Sequence, residues 1–473
     1  MAKTKILFGE WLPDQPGIAG AVTDALNCYP VTNGYAPVRS EVNYSADAGQ
    51  SLLVAFAGKY GGESTLFAAG ATNIFKFDNT DLSLDPLTTV GYTTVMSWDV
   101  TQFGSKMILA NGQDKLQSYA IGTSTYFEDL AAAAPTAKFV TVVKDFVVAA
   151  NVSSFESTVY WSDINDETDW TPGVASQSDS QVLADGGDIT GIAGGEYGLI
   201  FLERAIYRMS YAGSPYFFQF DPISRTLGCI SSGSIAQFGN VTYFLADDGF
   251  YVCDGQSTKN IGAEKINRWF FENALPTAIV DGMSATVDPI NRLVIWCFDN
   301  SFGGKNLLIY SIALDKWSYC TTDATSISYA LTPNATLEQL DVYSSSIDAL
   351  DTPLDSRQWA GGSLLFTGVR AQKIITITGS PKEASIATGD IDTGRSVITL
   401  ARPLVDNGTG SACVASRSLL SAPTEYNSYV AADAEGRVAL RSAGRYHRIK
   451  VKPSGNWKTV VGVEVDVTTQ GIR

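Results

Sequence analysis

Short runs of Val, Ile, Leu, Phe, Tyr and Thr recur along the chain, separated by clusters of Gly, Asn, Asp and Ser. Within the runs, apolar and polar positions mostly alternate with period two, which predicts strands, and the polar clusters predict tight turns. Helical spacing is scarce. It is clearest at 262–273 (GAEKINRWFFEN), where Ile266, Trp269 and Phe270 share a face; LAAAA at 130–134 is a weaker second helix. The pattern predicts an all-β protein.

One unit repeats: an apolar strand, a tight polar turn, then a second strand bearing aromatic residues. It starts at Thr65 (TLFAAGATNIFKFD), Lys106, Asp145, Tyr197, Val241 and Asn291, at intervals of roughly 40–50 residues. Preceding strands such as VTQFGSK, IAQFGNV and VDPINRL, with the stretch leading to the next unit, bring each to four strands. Four-stranded units at this period predict a β-propeller, because one small twisted sheet cannot cover its own faces whereas radially packed sheets cover each other. Six units predict a six-bladed ring over 49–332, to which an end segment can add strands at closure. The same hairpins arranged as two stacked sandwiches are the competing architecture. The polar segment after Thr332 predicts a boundary, followed at 333–473 by a smaller β-sandwich or barrel-like domain. Residues 1–48, with LPDQPG and few regular elements, predict an extended N-terminal arm lying on a blade or a neighbouring subunit.

Composition narrows the function. The 473 residues are 45% hydrophobic and only 17% charged, with a formal net charge of -16, so wholesale disorder and a general nucleic-acid clamp are both excluded. An acidic surface remains compatible with nucleic acid sliding past without sticking. No apolar run is long enough for a membrane helix. The sole histidine, His447, leaves no room for two-His metal sites. Cys28, Cys229, Cys253, Cys297, Cys320 and Cys413 have no zinc-ligand spacing and read as small buried hydrophobes.

Several carboxylate clusters invite a test. YWSDINDETDW carries Asp163, Asp166, Glu167 and Asp169 but lacks the glycine of a calcium loop, so a polar blade turn is expected. Asp390 and Asp392 in TGDIDTG are a second, disfavoured candidate for a cation turn, and adjacent Asp247 and Asp248 are expected to form a turn. GGDITGIAGGEYG lacks the Lys-Ser/Thr of a phosphate loop. Trp98, Tyr160, Trp161, Trp296, Trp317 and Trp359 are expected to fill gaps between blades rather than stack on sugars or bases. No catalytic residue, cofactor or metal site is predicted. The one charge-bearing feature is a basic segment: Arg437, Arg441, Arg445, Arg448, Lys450, Lys452 and Lys458, with no Asp or Glu between them. It is expected to be a solvated face or a contact with another subunit or an adaptor, with phosphate contact as the sharper alternative. Alternation in RYHRIKVK sends Arg445, His447, Ile449 and Val451 to one side, and Tyr446, Arg448, Lys450 and Lys452 to the other.

In order along the chain, LPDQP (12–16), NCYP (27–30), GYAP (34–37), YWSDINDETDW (160–170) and GLIFLERAIYRMSYAGSP (198–215) are followed by LADDGFYVCDG (245–255) and IGAEKINRWF. Then come TGDIDTGRSVITLARPLVDNG (388–408), GRYHRIKV (444–451), NWKTVVGVEVDV (456–467) and a terminal QGIR. This series resembles the packaged-DNA stabilisation, or tail nozzle, proteins of short-tailed bacteriophages (podoviruses). The resemblance implies a non-enzymatic structural virion protein containing a β-propeller, six copies of which form a homohexameric ring below the portal and adaptor ring. It implies that the ring continues the DNA channel, meets tail fibre or spike proteins on its outside, retains packaged DNA and conducts it at ejection. Double-stranded DNA would pass through the lumen without sequence-specific binding, and nothing would insert into a membrane. The protein would be made in the bacterial host cytoplasm and reside in the virion tail. The alternative from another class is a propeller glycan-binding module or glycan hydrolase on a host-recognition appendage; a scaffold with no conduit role is a third.

Overall fold

A computed structural model describes the chain except residues 1, 18–19, 332–339, 345, 351–353, 355–361, 363 and 470–473. Each of the six predicted units forms a four-stranded antiparallel blade. Blade one comprises Leu52–Tyr60, Glu63–Gly70, Ile74–Phe77 and Leu84–Pro86. Blade two runs from Asp99–Phe103 to Glu128–Asp129, and blade three from Ala137–Val143 to Asp179–Val182. Blade four runs from Ile189–Ala193 to Phe217–Ser224, blade five from Ala236–Phe238 to Thr258–Asn260, and blade six from Ser284–Asp288 to Lys316–Thr322.

The ring closes through one further four-stranded sheet. Ser326–Leu331, Leu364–Arg370 and Lys373–Thr376 pair in order, and Val42–Asn43 from the arm adds the outermost strand. This seventh sheet packs between blades six and one. The boundary expected at 332/333 therefore falls inside a blade, because the segment from 332 to 363 connects its first two strands.

Seven clusters of buried apolar side chains account for the ring, one between each neighbouring pair of sheets. Phe201 and Phe244, from the second strands of blades four and five, are fully buried with ring centroids 5.0 Å apart. Trp98 donates its indole N–H to the Gly70 carbonyl across blades two and one, and Trp296 donates to Ser234 across blades six and five, both at 2.8 Å. Fully burying a large apolar side chain contributes about 1.5–3 kcal/mol, so repetition of such contacts around the circle supplies the stability no single blade has. Trp161 and Trp317 are buried in the same way and Tyr160 partly so. Trp359 lies outside the described residues.

The arm and the C-terminal segment build a second β domain on the flank of blade six. Asp24–Leu26 pairs in parallel with the last strand of blade six at Tyr319 and antiparallel with Ser385–Ala387. The sheet continues through Val438–Ser454, Ile391–Asp406 and Thr459–Thr469 to the hairpin Gly34–Pro37 and Cys28–Val31. Ala2–Leu7 pairs with the other part of Thr459–Thr469, and Thr409–Arg417 with Val438–Ser454. One sheet thus runs unbroken from the ring into the second domain. The predicted helix is present but short, Asn267–Asn273, with Ile266 and Phe270 fully buried. Asp14 of the arm caps it, accepting the N–H groups of Arg268 and Trp269 at 2.9 and 2.8 Å. LAAAA is not helical; Leu130 and Ala134 are buried in the connection between blades two and three, where inter-blade packing overrides alanine's helix propensity.

Candidate functional site

The basic segment occupies the long strand Val438–Ser454 and its flanks. His447, Ile449 and Val451 point into the core, while Tyr446, Arg448, Lys450 and Lys452 are half-buried on the other side, as alternation predicts. Most of its cations are neutralised within the chain. Arg448 meets Asp390 through two hydrogen bonds of 2.9 and 2.8 Å, and Arg417 reaches the same carboxylate at 2.5 Å. Burial works against ionising Asp390, but the hydrogen bonds and charges of Arg448 and Arg417 outweigh it and hold its pKa below the usual carboxylate value. Arg445 pairs with Asp392 at 2.9 Å, lowering the carboxyl and raising the guanidinium.

Lys450 sits 2.9 Å from Asp24, the first residue of the strand that welds ring to second domain; Asp24 also accepts the Tyr319 hydroxyl at 2.8 Å. Lys452 pairs with Glu383, and Arg437 with Asp433 and Glu435. Arg441 and Lys458 are exposed and, among the described residues, have no acidic partner. A run that looks like a cationic patch in the sequence is chiefly an internal clamp. Sequence reasoning missed Arg417, and no local signal marks it.

His447 is fully buried, its Nε2 3.0 Å from Ser396 Oγ and its Nδ1 2.6 Å from Ser416 Oγ. Burial lowers its pKa, against a hydrogen bond to the Gly444 backbone carbonyl that raises it. The carboxylates of YWSDINDETDW and the Asp247–Asp248 pair lie in turns, whereas Asp392, with Asp390 just before it, belongs to the strand Ile391–Asp406 and both hold arginines. Asp166 accepts the Thr168 N–H and hydroxyl, Asp169 the Thr171 N–H, and Asp163 the Gln177 N–H. Asp248 accepts the Tyr251 hydroxyl at 2.7 Å. No group of three or more metal-ligating side chains occurs among the described residues. The glycine-rich stretch has a packing explanation: a Cβ on Gly194 would lie 2.1 Å from the Val142 carbonyl oxygen, where the hairpins of blades three and four meet. All six cysteines are buried and unbridged, and burial pushes the Cys229 thiol up to about 11 and the Cys297 and Cys320 thiols up to about 12.

At the hub, residues at the starts of the inner strands of the sheets, with Ser232, Gly233 and Ile235 just before blade five, line a half-open cleft of about 610 Å³. Asp99, Lys138 and Asp281 line it, with apolar wall contributed by Phe56, Val100 and Phe139. Asp99 accepts the N–H of Val140, on blade three, at 2.8 Å and of Val100 at 3.1 Å. Burial pushes its pKa up to about 7 in spite of those two bonds, which favour the charged form. These residues lie at or near the starts of inner strands, a position that only the folded ring makes equivalent.

No family model matches the chain, and no curated protein matches it. Among solved structures, BBS1N in complex with ARL6DN is similar over 73% of this chain and 98% of that one, at 11% identity and a TM-score of 0.43. PorZ, a bacterial surface component of the type-IX secretion system of Porphyromonas gingivalis, is similar over 74% of this chain and 43% of that one, at 10% identity and a TM-score of 0.37.

Proposed function

We propose that this protein is a structural subunit of a short-tailed phage tail: a tail nozzle that assembles as a homohexameric ring below the portal and adaptor, retains packaged DNA and conducts it at ejection. The observation that carries the reading is the mutual packing of the fragments in which the resemblance lies. LPDQP caps the helix of IGAEKINRWF through Asp14. TGDIDTG is clasped by GRYHRIKV through Asp390 with Arg448 and Asp392 with Arg445. GYAP meets NWKTVVGVEVDV where Tyr35 pairs with Val460. Asp14 with Arg268, and Tyr35 with Val460, are far apart in sequence yet partners in the fold, and that mutual packing supports the reading.

The charge balance fits a conduit. At -16 per chain, a ring of such subunits repels phosphate on average and forms few of the ion pairs that make basic proteins grip DNA. The contact with the adaptor is assigned to Arg441 and Lys458, the two cations of the basic segment left without acidic partners. Light scattering of the protein mixed with its adaptor ring is expected to report six added copies of 50.6 kDa. A protein that stays monomeric in that mixture contradicts the proposal.

A further inference from the structure

Charge is sorted by region in this chain. Residues 38–382, which build the ring, hold 37 of the 49 Asp and Glu but 20 of the 33 Lys and Arg, so the remainder is close to balanced. Within the ring the excess is concentrated again. The last turns and outermost strands of blades one to three, at 78–86, 121–129 and 162–182, hold ten carboxylates and no Lys or Arg. Asp81, Asp85, Glu128, Asp129, Asp166 and Asp179 are exposed there, and the one ion pair of these segments among the described residues is Glu167 with Lys106. A charge on each outermost strand protects a sheet edge from pairing. Edge protection does not require that every charge be negative over three blades in succession. Blades two and three stand across the ring from blade six, whose last strand continues outward into the second domain.

The second domain presents the complement. Ala2–Leu7, Thr459–Thr469, Ile391–Asp406 and the first part of Val438–Ser454 lie side by side in one sheet. One side of it buries Val463, Val465, Ile398 and Leu440. The other side is open to solvent and carries Lys3, Lys5, Arg395 and Arg402, with Arg441 and Arg445 on the far strand. Glu464 holds Lys3 and Arg402, Asp466 stands opposite Lys3 in register, and Asp392 holds Arg445. Lys5 and Arg395 are exposed and left without an ion pair among the described residues; Arg441 belongs to the adaptor contact proposed above. We infer that this basic sheet face docks on the acidic outer rim of blades one to three of a second copy of the chain. Face and rim lie on opposite sides of one subunit, so the contact is head to tail. Each copy then uses its face on one neighbour and its rim on the other, the arrangement from which closed rings are built. The inference rests on the ring proposal and deepens it by naming the surfaces through which neighbouring subunits meet.

The test mixes unlabelled and isotope-labelled full chain at low ionic strength and treats the mixture with a carbodiimide, which joins a lysine to a carboxylate in direct contact. Peptide pairs of mixed isotope are expected to link Lys3 or Lys5 to Asp85, Glu128, Asp129 or Asp179. Their yield should fall about tenfold in roughly 0.5 M salt, which screens contacts between exposed charges. Lys5→Glu with Arg395→Glu, and separately Glu128→Lys with Asp179→Lys, should each abolish self-association in sedimentation, with unchanged melting temperature showing that the fold is intact. Mixing the two double variants should restore association, because each reversed surface then meets its opposite. No mixed-isotope links in the unaltered chain, links confined to other surfaces, or association indifferent to both reversals would overturn the inference. The ring proposal is judged separately, by the number of copies added to the adaptor ring.

Discussion

The ring and the second domain solve the same burial problem by different means. Between blades, the contacts are aromatic and aliphatic faces repeated around a circle, as in Phe201 on Phe244 and Phe67 against Tyr119 at 5.4 Å. The second domain is also apolar inside, but its strands are tied by charge, to the arm through Lys450–Asp24 and Lys3–Glu464 and to one another through Arg448 and Arg417 on Asp390 and Arg402 on Glu464. Generic apolar faces accept many sequences, which is why the blades share a rhythm without sharing residues. Charged pairs demand particular residues at particular places. Most of the fragments behind the family resemblance accordingly lie in the arm, the helix and the second domain.

The largest expected effect breaks the ring side of that contrast. Phe201→Ala, which empties a fully buried site between blades four and five, should cost about 3–5 kcal/mol. Hydrogen exchange should show the loss spreading to both neighbouring blades. On the other side, Asp390→Asn leaves Arg448 and Arg417 facing a neutral amide and should cost about 3 kcal/mol. Here exchange should speed up in Val438–Ser454 and Thr409–Arg417 while blades one to four stay protected.

Titration sharpens the comparison. The pKa of Asp99 is raised from 3.8 to about 7 in the folded ring. Its stabilising contribution is therefore complete below its unfolded value and is lost as pH rises through about 7. Asp99→Asn should flatten the fall of melting temperature between those limits. The pKa of His447 is lowered, so its contribution is present above its unfolded value of 6.5 and is lost as pH falls through its folded value. His447→Gln should remove that acid-side loss, with the change confined to exchange in the second domain. The smallest effect belongs to Arg437, whose pairs with Asp433 and Glu435 are exposed. Arg437→Gln should leave the melting temperature unchanged.

The contrast also explains what could be read in advance. Six blades were legible because each is a local run of hairpins whose turns recur at a steady interval. The seventh sheet was not, since its first two strands are split by the segment from 332 to 363 and its fourth is Val42–Asn43. No local pattern joins residues so distant. The basic segment was visible as charge, yet its meaning was hidden in its partners: Asp24, Glu383, Asp390 and Asp392 come from other strands and turns of the fold. Alternation correctly assigned His447, Ile449 and Val451 to the buried side of RYHRIKVK, because a strand with one buried side fixes that parity; Arg445, assigned to the same side, is exposed against Asp392. The hub cleft left no trace, because Asp99, Lys138 and Asp281 converge only when the circle closes.

The proposal that this chain is a nozzle subunit is tested most directly by electron cryomicroscopy of the particle that carries it. The expected map has six copies around the DNA channel below the portal and adaptor, with Arg441 and Lys458 at the adaptor contact. A map that places the protein as single copies on a peripheral appendage, or in no ring at all, contradicts it.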